Sequence, residues 1–415
     1  MSYNIPDEVR FVLRRLSERG FEAYPVGGCV RDTLIGRVPS DWDITTSARP
    51  DDILRAFGDC KCFDLGKKYG TIGVLVGGEK IEITTFRREA AYTDMRRPDE
   101  VYFADDLKDD LSRRDFTINA LAFDASGGVI DRFGGRADLE AGLIRTVGDA
   151  ETRFREDALR IMRALRFSSE LGFSLDGGTR AAVMSCRGLL SFVARERIYE
   201  ELRRLVCGKN AARVIIEYKD VLSPFLPCLS FADEARLRAA SEAASLLPPD
   251  FVLRVASLVV SSGVPDAREC ARDTFLSLKS DRAARMRADA IISAYLATDG
   301  LSETELKIAA ARLGEDALSG ALMIKRAAAQ CASDDTNAEK FTAALDTASR
   351  LIASGECLTI KDLKIDGSDL IAIGIAPSPR MGVTLNTLLS AVIEGKVKNE
   401  RGELISYAKN WRDKT

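Results

Sequence analysis

Gly27-Gly28-Cys29-Val30-Arg31-Asp32, followed by Asp41-Trp42-Asp43-Ile44, is the stretch whose reading decides the fold. Phe21 to Val26 has strand character, the glycine pair reads as a tight turn, and Val30 to Ile35 as a short helix. Asp41 to Thr45 then reads as a strand. Side chains alternate on a strand, so Asp41 and Asp43 share one face while Trp42 and Ile44 turn into apolar packing. Two carboxylates so close repel each other unless a cation lies between them, and hard oxygen ligands suit Mg²⁺, completed by phosphates and water. A glycine turn lets backbone N–H groups approach a triphosphate, and Arg31 offers a fixed fork to the same phosphates. Taken singly, the acidic triplet is also a solvated strand end and the glycine pair an ordinary turn.

Outward from this stretch the opening third alternates helix and strand. Pro6 to Arg19 carries Val9, Val12, Leu13 and Leu16 at helical spacing, and Gly20 stops it. Thr71 to Val76, Lys80 to Phe86 and Leu121 to Phe123 read as strands, with turns at Gly77-Gly78 and Gly127-Gly128. The result is an α/β or α+β domain with a mixed or antiparallel sheet. Glu82 lies between Ile81 and Ile83, so it either completes a carboxylate trio for two metal ions or simply faces solvent. After about residue 148 the chain is helical, with helices expected at 152–171, 178–187, 194–207 and 210–220 and more between 232 and 348.

Composition removes whole classes of chemistry. The 415 residues contain no histidine, which excludes Ser-His-Asp and Cys-His catalysis, HExxH zinc sites and Cys2His2 fingers. Nine cysteines without a CxxC pair support neither a disulfide framework nor a zinc ribbon, and fit reduced thiols in a cytoplasmic protein. No long apolar run or leader pattern is present, so neither a membrane span nor signal targeting is expected. The net charge is −3, yet residues 151–210 hold 12 basic against 8 acidic side chains, the segment where nucleic acid would be sought first.

Together the residues resemble a known family. Gly27 to Asp32 with Asp41-Trp42-Asp43 is similar to the first motif of the class II tRNA nucleotidyltransferases and bacterial poly(A) polymerases. Arg113-Arg114-Asp115-Phe116-Thr117-Ile118-Asn119-Ala120 resembles the second, Asp131-Arg132-Phe133-Gly134-Gly135 the third, and Glu156-Asp157-Ala158-Leu159-Arg160 the fourth. Glu196-Arg197-Ile198 with Glu200-Glu201-Leu202 resembles the fifth. The resemblance implies an α+β nucleotidyltransferase head of DNA polymerase β-like type with a mixed or antiparallel sheet over 1–147. An all-α neck (148–208), body (209–330) and tail (331–415) would follow. It implies that Asp41 and Asp43 bind catalytic Mg²⁺ and that Gly28 and Arg31 contact the nucleotide. Arg114 and Asp115 would sit by its sugar and phosphates, and Arg163 and Arg166 would add contacts. Helix geometry favours Arg163, beside Arg160, over Arg166, which turns away.

Asp157 and Arg160, three apart on the expected helix, are neighbours on one face. Cytosine and adenine each present an amino donor beside a ring-nitrogen acceptor, which a carboxylate beside a guanidinium complements. Uracil and guanine present the reverse order and would leave buried groups unpaired, at about 1–3 kcal/mol apiece. By spacing alone the pair is an ordinary surface salt bridge; the ordered motifs favour the base-reading role. Phe86 to Glu89 through Tyr92 to Asp99 looks like the full-length flexible loop of complete CCA-adding members, and 363–411 like the tail of the shorter bacterial ones. Residues 351–415, with 9 basic and 8 acidic residues, lack the basic extension of poly(A) polymerases. The expectation is addition of C, C and A to tRNA from CTP and ATP. The rivals are partial CC or A addition, polyadenylation, and a catalytically silent RNA-binding module.

Overall fold

Helix α1 (Asp7–Ser17) buries Val9, Val12, Leu13 and Leu16, and carries acids in its first turn and Arg14 and Arg15 in its last, complementing the helix dipole. Strand β1 (Ala23–Pro25) follows, then helix α2 (Gly28–Leu34) and strand β2 (Asp43–Thr46). Helix α3 (Pro50–Ala56) leads to β3 (Lys61–Asp64), β4 (Thr71–Val76) and β5 (Glu79–Thr85). The computed structural model describes residues 3, 5–89, 101–104, 106–298, 302–353 and 357–412.

These strands form one mixed sheet in the order β1-β2-β5-β4-β3, in which only β2 and β5 run parallel. Gly77 and Gly78, at φ 59° and 92°, make the two-residue β4–β5 turn, a conformation that suits residues without a Cβ. Along β5, Ile81, Ile83 and Thr85 are buried while Glu82 and Thr84 are half-buried, so one face packs on the core and the other lines a cleft. The strand expected from Asp41 begins at Asp43 instead. Asp41 and Trp42 lie just before the sheet, and Trp42 is only half-buried, because pairing with β1 starts at Ile44.

Beyond the sheet, β6 (Arg87–Glu89) and β7 (Val101–Phe103) form a two-stranded ribbon, and Asp106 caps helix α4 (Leu107–Ser112). Strands β8 (Leu121–Phe123) and β9 (Val129–Asp131) pair before helix α5 (Gly135–Ala141). The third motif is a structural clamp. Asp131 accepts hydrogen bonds from the backbone N–H groups of Phe133, Gly135 and Arg136, and a Cβ on Gly135 would lie 2.2 Å from the carbonyl oxygen of Thr117. Thr117, within the second motif, also donates to Asp138 of α5 at 2.6 Å.

From Ala150 onward helices dominate. The single helix expected over 152–171 is two: α6 (Ala150–Glu156) and α7 (Leu159–Leu171). Asp157 breaks it with φ −144° and ψ 102°, its carboxylate accepting from the backbone N–H of Leu159. Helices α8 (Gly177–Cys186) and α9 (Arg195–Cys207) complete the first of two units, Met1–Asn210 and Ala211–Thr415. The second unit is helical. It has one apolar cluster around Leu306, Leu322 and Leu351 and another running from Leu363 to Ala408. Its expected first helix, 210–220, is interrupted at Tyr218. No helix among the described residues is long and apolar enough to cross a membrane.

The clamp predicts that Gly135→Ala lowers stability by about 1–3 kcal/mol, because the backbone carbonyl of Thr117 cannot move aside. Gly134→Asn, at φ 78° with open space around it, should cost less. Thermal midpoints of the two variants check the order; equal midpoints would remove the clamp.

Candidate active site

The β2–β5 pairing sets Asp43 opposite Glu82, one strand apart and on the same sheet face. Burial raises the Asp43 carboxyl to about 6; the negative charges of Asp41 and Glu82 add to this and the Arg114 guanidinium opposes it. Arg114 reaches there because of the glycine turn: a Cβ on Gly27, at φ 81°, would lie 2.8 Å from its Nη1. Asp43, Glu82, Thr45, Thr71, Thr84, Arg87, Arg113 and Arg114 line a cavity of about 280 Å³. Hard carboxylate oxygens whose mutual repulsion already raises a pKa are a donor set that fits a divalent cation. Glu82, across from Asp43 in the same cavity, stays within charge range of it. Glu82 turns to Lys80 Nζ at 3.3 Å, and no group of three His, Cys, Asp or Glu side chains at metal-holding spacing occurs among the described residues.

Behind the glycine turn, polar side chains from the first, second and fifth motifs and from α7 join in one chain of contacts. Gly28 opens α2. Arg31 donates to Asn119 Oδ1 at 2.7 Å and pairs with Asp32, and Asn119 donates to Asp115 Oδ1 at 3.0 Å. Arg163 completes Asp115 with bonds of 2.8 and 2.7 Å to Oδ2. Burial alone would raise Asp115, but Arg163 and the Asn119 hydrogen bond hold it down at about 2. Arg166, 3% exposed and paired with Glu201 at 2.6 Å and Glu170 at 3.2 Å, is a buried structural cation in this arrangement. The ring of Phe167 lies 4.9, 5.5 and 4.0 Å from the guanidinium carbons of Arg31, Arg163 and Arg166.

The two base-reading candidates are not neighbours on one helix face, since the helix breaks at Asp157. Each holds a separate partner. Asp157 forms a two-pronged pair with Arg197 at 3.3 and 2.9 Å, and Arg160 donates to Glu156 at 2.6 Å. They remain joined by a turn, with Arg160 N–H bonded to Asp157 O at 3.0 Å. Arg160 Nη2 also donates to Arg113 O at 3.3 Å, which ties this turn to the residue beside Arg114.

Sequence reasoning missed several contributors. Arg197 and Asn119 stood inside quoted motifs without a role, and the spacing of the fifth motif gave no sign that its arginine would cross to Asp157. Asp110 and Phe167 carried no signal beyond adjacency to the motifs. Of the expected flexible loop, 90–99 lie outside the described residues.

A family model described as the poly(A) polymerase head domain matches residues 23–145. One for the RNA- and SrmB-binding site of polymerase A matches 172–230, and one for tRNA nucleotidyltransferase domain 2 matches 269–408. The CCA-adding enzyme of Lactobacillus delbrueckii subsp. bulgaricus is 38% identical over 398 residues, covering 95% of this chain and 96% of that protein. That of Geobacillus thermodenitrificans is 37% identical over 399 residues, 95% of each. The crystal structure of the Bacillus stearothermophilus CCA-adding enzyme in complex with CTP superimposes with a TM-score of 0.80 at 33% identity, over 98% of this chain and 97% of that one. The Thermotoga maritima CCA-adding enzyme complexed with tRNA, at 22% identity, TM-score 0.67 and coverage of 98% and 96%, shares the fold.

Because like charge helps raise the Asp43 carboxyl, Asp41→Asn should move its titration below 6 and Arg114→Ala should move it above. Carboxyl-resolved NMR titration reads both shifts. A divalent cation held by Asp43 would lose affinity as pH drops through about 6, since proton and cation would compete for one oxygen pair.

Proposed function

This chain belongs to the CCA-adding enzyme family of tRNA nucleotidyltransferases, and on that premise we propose how its residues add C, C and A to the 3′ end of tRNA from CTP and ATP. What carries the activity is full-length likeness: relatives at 35–38% identity over at least 95% of the chain are CCA-adding enzymes.

In our reading Asp41 and Asp43 hold a divalent cation, Mg²⁺. When bound, it would acidify the terminal 3′-hydroxyl of the tRNA and neutralise the departing pyrophosphate. The remaining work falls to the protein. Gly27 and Gly28 leave the backbone open to the triphosphate, and Arg114, with Arg31 behind it, supplies positive charge there. Asp115, kept ionised by Arg163 and Asn119, is a fixed acceptor for the sugar hydroxyls. Asp157 and Arg160 read the pairing edge, sharing or exchanging Arg197 and Glu156 for the base. Burial of Arg166 supports a role in holding Glu201 and Glu170 rather than nucleotide. No step calls for histidine; positioning and charge neutralisation suffice.

We assign residues 1–147 to the catalytic head, 148–208 to the base-reading neck, 209–330 to the body and 331–415 to the tail, with phosphate contacts to tRNA that position without reading sequence. We place the reaction in the cytoplasm, where tRNA is matured.

On tRNA lacking its last three nucleotides, CTP alone should give a two-nucleotide extension and CTP with ATP three. Longer products would mark a polymerase, and a product stopping at two a partial enzyme. Asp41→Ala and Asp43→Ala should each slow extension about a thousandfold, some 4 kcal/mol of transition-state stabilisation. Asp157→Ala and Arg160→Ala should lower the preference for CTP over UTP by roughly tenfold or more, measured by competition, as 1–3 kcal/mol of pairing is lost. An unchanged preference would remove these two residues from base selection.

A further inference from the structure

Asp110 has no solvent exposure in its side chain, yet it stands where three active-site elements cross. Its Oδ1 accepts from Arg113 Nε at 3.0 Å and Nη2 at 2.8 Å, and its Oδ2 from Arg114 Nη2 at 3.3 Å. The same Oδ1 lies 3.4 Å from the backbone N–H of Arg87, the first residue of the β6–β7 ribbon. The bonds to Arg113 and Arg114 hold the carboxyl below the usual range against its burial, so it enters these contacts as an anion. A fully buried carboxylate is a poor choice for packing alone, since an apolar side chain of similar volume is usually as stable or better. What the charge adds is direction.

Both recipients of that direction face the chemistry. Arg114 is pinned across the Gly27 turn beside Asp43, and Arg113 offers its carbonyl to Arg160. Resting on the reading of the site given above, we propose that Asp110 is a positioning residue for nucleotidyl transfer, aiming Arg114 at the reacting phosphates and tying both arginines to the root of the ribbon. Without it Arg114 keeps its charge but loses its aim, so the loss falls on turnover rather than on tRNA capture.

The test is single-turnover addition of C to tRNA lacking its last three nucleotides. Asp110→Asn should lower the rate about 10- to 100-fold with KM for tRNA unchanged, the range for residues that orient a catalytic group. On an Arg114→Ala background the same substitution should cost nothing further. Arg114→Lys, which keeps the charge and loses the fork to Asp110, should reproduce the rate loss at an unchanged thermal midpoint, and it decides the matter if Asp110→Asn does not fold. Equal losses for Asp110→Asn with and without Arg114, or a wild-type rate in Arg114→Lys, overturn the proposal alone. A wild-type chain that adds nothing to this tRNA overturns the site reading and the proposal together.

Discussion

Repulsion between carboxylates at the mouth of the sheet is the constraint around which the first unit is built. The register of β2 against β5 is fixed by Ile44 and Ile83, which are buried on one face and so force Asp43 and Glu82 onto the other. Asp41 enters from just ahead of the strand. A fold that places like charges this way must supply countercharge nearby, and the Gly27 turn does so by admitting Arg114 where any Cβ would stand in its way.

The same logic extends into the helices. Many guanidinium groups around the cleft are held by an acid: Arg163 by Asp115, Arg166 by Glu201 and Arg197 by Asp157 across long stretches of sequence, and Arg113 and Arg114 by Asp110 and Arg160 by Glu156 within a turn. Pairs of this kind in low dielectric are oriented before any ligand arrives, so little reorganisation remains for the reaction step. For the base-reading role proposed for Asp157 and Arg160 they would also set a threshold: a base must offer hydrogen bonds as good as those already made with Arg197 and Glu156, and a base with donor and acceptor reversed would not.

Periodicity made the sheet legible, because Ile81, Ile83, Ile72 and Val74 alternate or cluster as a half-buried strand pair requires, and because Gly77-Gly78 fits a two-residue turn. It failed at Asp157. Residues 151–171 have good helical propensity, and only a carboxylate that caps the backbone of Leu159 while pairing with Arg197, 40 residues away, shows why the helix stops. Glu82 has a neighbour the sequence already showed: Lys80, two residues away on the same strand face, pairs with it at 3.3 Å. Asp110 could not be read at all. Asp109 and Asp110 are adjacent acids with opposite fates, one partly exposed and one fully buried, and nothing local distinguishes them.

The missing histidine gives this arrangement its last consequence. A site assembled from arginines and acids has few groups that titrate near neutrality, and pairing pushes most of them further away, Asp115 down to about 2 and Arg163 upward. Among the described side chains with large shifts, only Asp43 is carried toward neutrality, first by its burial and then by the negative charges of Asp41 and Glu82. In the metal-binding role we propose for Asp43, proton and cation would contest a single carboxylate, and the sensitivity of the site to pH would be concentrated at that residue.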